Sequence, residues 1–142
     1  MRAEQLILGI VVSAVTIAIQ AGITVDLGRS LEQLGHRAMR ERLVPILLLV
    51  MSTTGVAPML GHVLEATVWA ALYILVGAAP APVAFDLALQ NFTTLGYGDV
   101  RPAPEWRLLG PITAADGVLL FGWSTALLFA VPNRAAHALR LF

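Results

Sequence analysis

The sequence has no cysteine and no lysine, and charged residues make up only 13% of its 142 residues. The absence of cysteine excludes disulfides, thiolate nucleophiles and thiolate metal sites. Soluble domains carry about 25% charged residues, so this chain has too little charge for an ordinary soluble protein. Its nine cationic residues, all arginine, are balanced by nine anionic ones. This leaves no net positive charge for binding a nucleic acid.

Hydrophobic residues, by contrast, make up 58% of the chain, and its mean hydropathy is +0.79. The first apolar block, residues 6–25, has the length of about 20 residues that a helix needs to cross the hydrocarbon core of a bilayer. A cleaved secretory signal would have a basic start and a shorter apolar stretch, whereas Arg2 is soon followed by Glu4 here. We therefore predict a membrane-spanning N-terminal helix.

Residues 26–42 are polar and rich in arginine, with apolar residues at helical spacing. This pattern is typical of an amphipathic helix that lies on a membrane surface. We group this segment with the first span as an N-terminal region, residues 1–42. Residues 43–142 then form a second region.

The second region begins with an apolar stretch, residues 43–79, that would be about 55 Å long as one helix. This is too long for a simple crossing, and two interpretations are open: a single helix bent around Gly55 and Pro58, or two short helices separated near residues 52–61. A single helix gives three crossings and places the arginines of residues 26–42 on the same side as the C-terminal tail. Because arginine is enriched in cytoplasmic loops, we favour three crossings. The last helix then covers residues 105–131 and ends before Pro132.

Residues 82–102 lie between these two helices and contain only a short apolar segment, residues 83–93, with prolines on both sides. About 11 residues are too few to cross a bilayer. A half-span that enters and returns is tolerated where its irregular backbone is sheltered by protein or lines a water-filled cavity. The layout therefore predicts a half-helix followed by a re-entrant loop.

The half-helix is followed by the residues Asn-Phe-Thr-Thr-Leu-Gly-Tyr-Gly-Asp-Val-Arg-Pro at positions 91–102. This segment closely resembles the selectivity filter of the potassium-channel pore family, whose core pattern is Thr-Val-Gly-Tyr-Gly-Asp. Leu95 takes the usual place of valine. The resemblance covers about residues 64–131 and is most specific over residues 93–102.

In such a filter, four copies of the loop surround one axis, and backbone carbonyl groups replace the hydration shell of the cation. The resemblance implies that K⁺ binds at Thr94, Leu95, Gly96 and Tyr97. Gly96 and Gly98 allow backbone conformations that are closed to other residues, and the side chains of Leu95 and Tyr97 are expected to point into the surrounding protein. Because each chain has one such loop, we predict a homotetramer.

Residues next to the filter are expected to assist it. The half-helix ends near Thr93, where its dipole presents negative partial charge to a cation, and Asp99 would add a ring of carboxylates at the outer mouth, which Arg101 would partly offset. We assign filter support to Thr93, Gln90 and Asp86. Many relatives have aromatic residues at the positions of Asp86 and Leu87, and some have a carboxylate at the position of Gln90.

For Asp86 two interpretations are open: a hydrogen bond to Tyr97, or a solvent-facing position near the start of the half-helix, where the dipole favours an anion.

One face of the last helix carries its more polar residues, and this face is expected to line the pore. The cavity and gate candidates on it are Thr113, Asp116, Gly117, Leu120 and Ser124. Asp116 lies near mid-membrane, where a charged residue is costly and indicates function. It would either face the cavity and concentrate cations or be buried between helices. Gly117 is a candidate hinge, although Gly110, Pro111 and Gly122 offer other bending points.

His62 and Glu65 lie on one face of the outer helix, close enough to pair. Their contact would be either a pH-sensitive link between helices or a polar pair that satisfies itself and packs the helices together.

The sequence thus predicts an all-α membrane protein: an N-terminal transmembrane helix, then outer helix, pore helix, filter and inner helix, assembled as a tetramer. The expected function is a potassium-selective channel with passive conduction, in the bacterial plasma membrane with a cytoplasmic C-terminus. A weakly selective cation channel and a non-conducting membrane subunit or scaffold are the alternatives. We expect no enzymatic activity, because no nucleophile, paired carboxylates or phosphate loop is present. We also expect no cofactor besides the permeant K⁺, no nucleic acid and no small-molecule substrate.

Overall fold

The structure, a computed structural model, describes residues 2–38 and 43–138. Within them the chain forms four α-helices: α1 (Arg2–Ala38), α2 (Leu43–Leu75), α3 (Ala81–Phe92) and α4 (Leu109–Ala138), with a 3₁₀ turn at Pro104–Trp106. Three of the helices contain stretches long and apolar enough to cross a membrane, namely Ala3–Ser30, Leu48–Leu75 and Leu109–Arg134. The prediction of an all-α membrane protein with three candidate spans is confirmed.

The N-terminal helix is longer than the sequence suggested. α1 continues without interruption through Ala38, so residues 26–38 extend the spanning helix and do not form a separate helix on the membrane surface. No proline precedes Pro45, and Gly28 costs a helix only about 1 kcal/mol relative to alanine. Arg40, Arg42 and Arg140, on which the expected orientation partly depends, lie outside the described residues.

α2 is a single helix rather than two. It contains Pro58, which a membrane helix tolerates because neighbouring groups can satisfy the backbone carbonyl that proline leaves unbonded. The helix ends at Leu75, earlier than the expected residue 79. Gly77 takes a positive φ of 73° there, and the amide of Ala78 donates to the carbonyl of Tyr73 at 2.8 Å. A left-handed glycine of this kind is a common helix terminator.

α3 is the predicted half-helix. Pro80 precedes it, and the helix ends at Phe92, with Thr93 as the C-terminal capping residue at φ −83° and ψ −2°. At 1.5 Å per residue its 12 residues span about 18 Å, which is too short to cross a bilayer.

α4 begins at Leu109 and runs past Pro132 to Ala138, so the expectation that Pro132 ends this helix was wrong. Proline within a membrane helix interrupts one backbone hydrogen bond without necessarily ending the helix.

The helices pack around a core between α2, α3 and α4. This core consists of Trp69, Ala70, Leu72, Tyr73, Ala78, Ala79, Ala84, Leu87, Ala88, Phe92, Leu109 and Leu120. α1 lies against both α2 and α4. Hydrogen bonds join Gln5 to the amide of Leu108 and Gln20 to Ser124, so α1 runs parallel to α4. Trp69 bonds Asp116, and His62 contacts Ser124, so α2 runs antiparallel to α4.

Candidate functional site

The segment that follows α3, residues 94–98, is called the TLGYG segment below. Its backbone takes a positive φ at every second residue: 60° at Thr94, 52° at Gly96 and 80° at Gly98. Glycine adopts this conformation readily, whereas a non-glycine residue such as Thr94 rarely does. An unusual backbone conformation at a threonine is a reason to look for function there.

Backbone hydrogen bonds attach the TLGYG segment to the end of α3. The carbonyl oxygen of Gln90 accepts from the amides of Leu95 at 2.9 Å and Gly96 at 3.3 Å, and the carbonyl of Asn91 accepts from Thr94 at 2.9 Å. The Thr93 hydroxyl donates to the carbonyl of Leu89 at 2.8 Å. The last turn of α3 therefore determines where the segment begins.

The side chains of the TLGYG segment project outward from the single chain. Leu95 is 56% exposed and Tyr97 is 74% exposed. The expectation that both pack into surrounding protein is thus not met by residues of the same chain, because the segment lies at the edge of the helical core.

Two predicted support residues bond to each other. The Gln90 Nε2 group donates to Asp86 Oδ2 at 2.8 Å, as residues four apart on a helix can. Asp86 is exposed, and its described partner is Gln90 rather than Tyr97, so within one chain the first of the two interpretations for Asp86 is not realised. Gln90 Oε1 is buried and has no hydrogen-bond partner within the described part of the chain.

Asp99 and Arg101 follow the segment, and both are exposed. One carboxylate oxygen of Asp99 accepts from the next amide, that of Val100, at 2.9 Å. The guanidinium group of Arg101 lies beside Gly98, 3.6 Å from where a Cβ on that glycine would be. The positive charge of Arg101 therefore lies close to the backbone of the TLGYG segment. Arg101 is also only two residues from Asp99 in the sequence.

The predicted cavity face of α4 is instead buried inside the chain. Thr113, Asp116, Leu120 and Ser124 are all buried, and they pack against the helices around them. Within one chain these residues are therefore enclosed by its own helices, and a pore-lining position for them stays a prediction. The sequence correctly predicted a polar face on α4. In the single chain, the polar side chains of this face form hydrogen bonds with polar residues of α1 and α2.

Asp116 joins three helices through one oxygen atom. Its Oδ2 accepts from the hydroxyl of Thr16 on α1 and from the indole Nε1 of Trp69 on α2, both at 2.8 Å. Asp116 is only 4% exposed. Of the two interpretations for this residue, burial between helices is therefore the one that the structure shows.

Gly117 is required for close packing. A Cβ at this position would collide with the backbone carbonyl group of Phe92, the last residue of α3. The lack of a side chain is explained by this contact, so a hinge role is not needed to account for the glycine.

His62 and Glu65 form the expected pair and extend it. His62 Nδ1 lies 2.8 Å from Glu65 Oε2, and His62 Nε2 lies 3.0 Å from the hydroxyl of Ser124. Gln20 Nε2 donates to the same hydroxyl at 2.8 Å. This chain of polar groups connects α2, α4 and α1 within the apolar interior.

A further polar chain, which the sequence analysis did not identify, fastens α3 to the core. The amide Nδ2 of Asn91 donates to the hydroxyl of Tyr73 at 3.0 Å, and that hydroxyl lies 2.8 Å from the hydroxyl of Thr113. The ring of Phe92 also packs against His62 and Phe121, with centroids 5.8 and 5.5 Å away. α3 is thus attached to both α2 and α4.

The polar residues of α1 were also missed. Gln5, Thr16 and Gln20 are buried on one side of this helix, while large apolar side chains such as Ile7 and Ile10 are exposed on the other. The signal was present in the sequence, because polar residues inside an apolar span face the protein interior by default.

The model of a protein family described as an ion channel matches residues 46–133, from α2 through most of α4. No curated protein and no solved structure matches the chain.

Proposed function

Because the chain belongs to the ion channel family, we propose that it conducts K⁺ selectively through a four-fold ring of TLGYG segments. The protein is an integral membrane channel and not an enzyme, as its family and its three candidate spans indicate. The proposal concerns which ion passes, which residues bind it and how many copies form the pore.

The observation that carries the proposal is the backbone of the TLGYG segment. Positive φ values alternate along it, at Thr94, Gly96 and Gly98. Such alternation rotates successive peptide units and allows consecutive carbonyl groups to face one side. Rings of backbone carbonyls are the ligands that replace the hydration shell of K⁺ in channels. The proposed K⁺ ligands are the carbonyl groups of residues 94–97.

The position of α3 supports a cation site. Its C-terminal end lies at the start of the TLGYG segment, and the carbonyl end of a helix carries about half a negative elementary charge. Asp99 follows the segment, is exposed and would form a ring of four carboxylates at the outer mouth. Arg101 would offset part of that charge.

The exposed side chains support several copies around one axis. Leu95 and Tyr97 are apolar or aromatic, yet both project from the single chain. In a homotetramer, neighbouring copies would cover these side chains and close the ring of carbonyls. One segment per chain requires four chains for a four-fold site.

The cavity lining is assigned to the exposed face of α4 in place of the buried one. This face includes Ala115, Val118, Gly122 and Phe129, all of them exposed in the single chain. They lie on the side of α4 away from Asp116. The cavity below the filter would therefore be largely apolar. A cytoplasmic C-terminus in a bacterial plasma membrane completes the proposal.

The test is a flux assay on purified full-length protein in liposomes. We expect K⁺-loaded liposomes to release K⁺ and Na⁺-loaded ones to retain Na⁺, with valinomycin measuring the total K⁺ capacity. Gly96→Ser should abolish K⁺ release because serine is strained at this positive φ and alters the carbonyl positions. Gly77→Ser is the matched control, since Gly77 also has a positive φ and open space around it but lies outside the segment.

Two results would contradict the proposal. Near-equal K⁺ and Na⁺ permeability, measured as reversal potentials in planar bilayers, would indicate a weakly selective cation channel. Protein that forms an oligomer by size-exclusion chromatography but passes no cation at any voltage, pH or divalent concentration would indicate a non-conducting subunit or scaffold.

A further inference from the structure

We propose that α1, which lies outside the region matched by the ion channel family, positions the TLGYG segment by holding Asp116. The inference rests on the proposed function, since it assigns residues that control the geometry of the same site. None of these residues is suggested to touch the ion. They act through the contact between α4 and the end of α3.

The first step is the way α1 faces the rest of the protein. Its buried polar residues, Gln5, Thr16 and Gln20, all contact α4 or the turn that precedes it. Apolar side chains occupy the opposite, exposed side. A helix that only anchored the chain in lipid would have no need for this polar side. α1 is therefore built to bind the pore region at several depths along the membrane.

The second step is the site where α1 holds α4 most directly. The Thr16 hydroxyl lies 2.8 Å from Asp116 Oδ2 and 2.9 Å from the carbonyl of Ser13 on its own helix. The same carboxyl oxygen accepts from Trp69 of α2. Asp116 therefore has one donor from each side, and both donors are completely buried.

The third step leads from Asp116 to the TLGYG segment. The next residue, Gly117, lies against the carbonyl group of Phe92, where α3 ends. The backbone carbonyl groups of Asn91 and Gln90, one and two residues earlier, accept the hydrogen bonds of the first amides of the segment. A rotation or shift of α4 at Asp116 would move Gly117 and hence the end of α3. Close packing transmits such a shift, because there is no room for even a Cβ between Gly117 and the Phe92 carbonyl group.

The alternative is that α1 contributes only to folding and membrane insertion. In that case removing the Thr16 hydroxyl would change protein yield or thermal stability but leave ion selectivity and the local dynamics of residues 93–98 unaltered. The two possibilities therefore make different predictions for the same variant.

The test uses the full-length protein with the variants Thr16→Val, Trp69→Phe, Asp116→Asn and Asp116→Leu. Valine keeps the shape of threonine, and asparagine keeps an acceptor oxygen. Thr67→Val is the matched control, because the Thr67 hydroxyl is exposed and bonds only the carbonyl of Val63 on its own helix among its described contacts. Size-exclusion chromatography establishes that each variant forms the same oligomer.

We expect Thr16→Val and Trp69→Phe to lower the K⁺ over Na⁺ permeability ratio about threefold to tenfold, in line with the loss of one interhelical hydrogen bond in a membrane. Asp116→Asn keeps an acceptor oxygen and should lower the ratio less than Asp116→Leu does, and Thr16→Val should have no further effect once Asp116 is leucine. Thr67→Val should leave the ratio unchanged. Wild-type flux in the same experiment tests the proposed function separately.

Amide hydrogen exchange over residues 93–98 provides a second measurement that does not require conduction. Exchange should be faster in Thr16→Val and Trp69→Phe than in Thr67→Val. The inference is overturned if exchange changes only within α1 and α4, or if Thr16→Val and Trp69→Phe match Thr67→Val in both measurements. If Asp116→Leu does not assemble into the same oligomer, Thr16→Val and Trp69→Phe, which keep the Asp116 carboxyl group, still test the inference.

Discussion

The carbonyl group of Phe92, the last residue of α3, lies directly against Gly117 in the first third of α4, leaving no room for a side chain on that glycine. The backbone at the end of α3 is therefore in direct contact with α4. Because this contact is so close, the position of α4 and the position of the segment that follows α3 depend on each other.

The first prediction concerns this contact. Gly117→Ala adds a methyl group where backbone atoms already lie, and we expect it to lower the free energy of unfolding by about 1–3 kcal/mol, as overpacking does. The measurement is thermal unfolding of the purified protein in detergent.

Gly22→Ala is the control for this experiment, since nothing lies within 4 Å of its Cβ position and alanine is the better helix former. It should be neutral or stabilising. Equal stability of the Gly117→Ala and Gly22→Ala proteins would contradict the packing described for Phe92.

The second prediction concerns the chain of hydrogen bonds from Asn91 through Tyr73 to Thr113. Tyr73→Phe removes the hydroxyl that bridges α3 and α4 and leaves the Asn91 amide without that partner. We expect a loss of about 1–2 kcal/mol in the free energy of unfolding, measured by the same thermal assay.

Tyr97→Phe is the control at the only other tyrosine of the chain, which is exposed in the single chain. Its thermal stability should equal that of the wild type. A Tyr73→Phe protein as stable as Tyr97→Phe would show that the bridge does not contribute to stability.

The third prediction uses the absence of native cysteine, which makes every introduced thiol unique. Val118→Cys lies on the exposed face of α4 and Leu120→Cys on the buried face. If the exposed face lines the water-filled cavity, a water-soluble thiol reagent should modify Val118→Cys at least about tenfold faster, since thiol reactivity requires access. Modification should also reduce K⁺ flux.

Ile10→Cys on the outward side of α1 controls for exposure to lipid. Ile10 is exposed in the single chain but is expected to face hydrocarbon, so its thiol should react slowly with a charged reagent. Faster modification of Leu120→Cys than of Val118→Cys would indicate that the cavity is lined by the face of α4 that carries Asp116.

The fourth prediction concerns His62 and Glu65. His62→Leu leaves the buried Glu65 without the partner that lies 2.8 Å from its Oε2, and an unpaired buried carboxyl group is strongly destabilising. We expect the double variant His62→Leu, Glu65→Leu to unfold at a higher temperature than His62→Leu alone. A double variant no more stable than His62→Leu alone would show that the unpaired Glu65 carboxyl group does not destabilise the protein.

Much of the architecture was accessible from the sequence. The three spans and the half-helix follow from the lengths of apolar runs, because a helix rises by a constant amount per residue and the bilayer has a nearly constant thickness. The TLGYG segment was recognisable because its chemistry resides in backbone conformations that a few residue types allow. Helix ends were less predictable: α1 passed Gly28 and α4 passed Pro132, since packing and membrane burial outweigh local preferences.

Only the tertiary structure decided which side of each helix faces the protein interior. The polar stripe of α4 is visible in the sequence, but a polar stripe in a membrane helix can meet either water or polar groups of another helix. Thr16 and Trp69 meet Asp116 in the folded chain, although they lie far from it in sequence. The sequence by itself thus determined what crosses the membrane and where the unusual backbone lies. The tertiary structure decided which residues of α4 face the protein interior, because that depends on which helices lie beside α4.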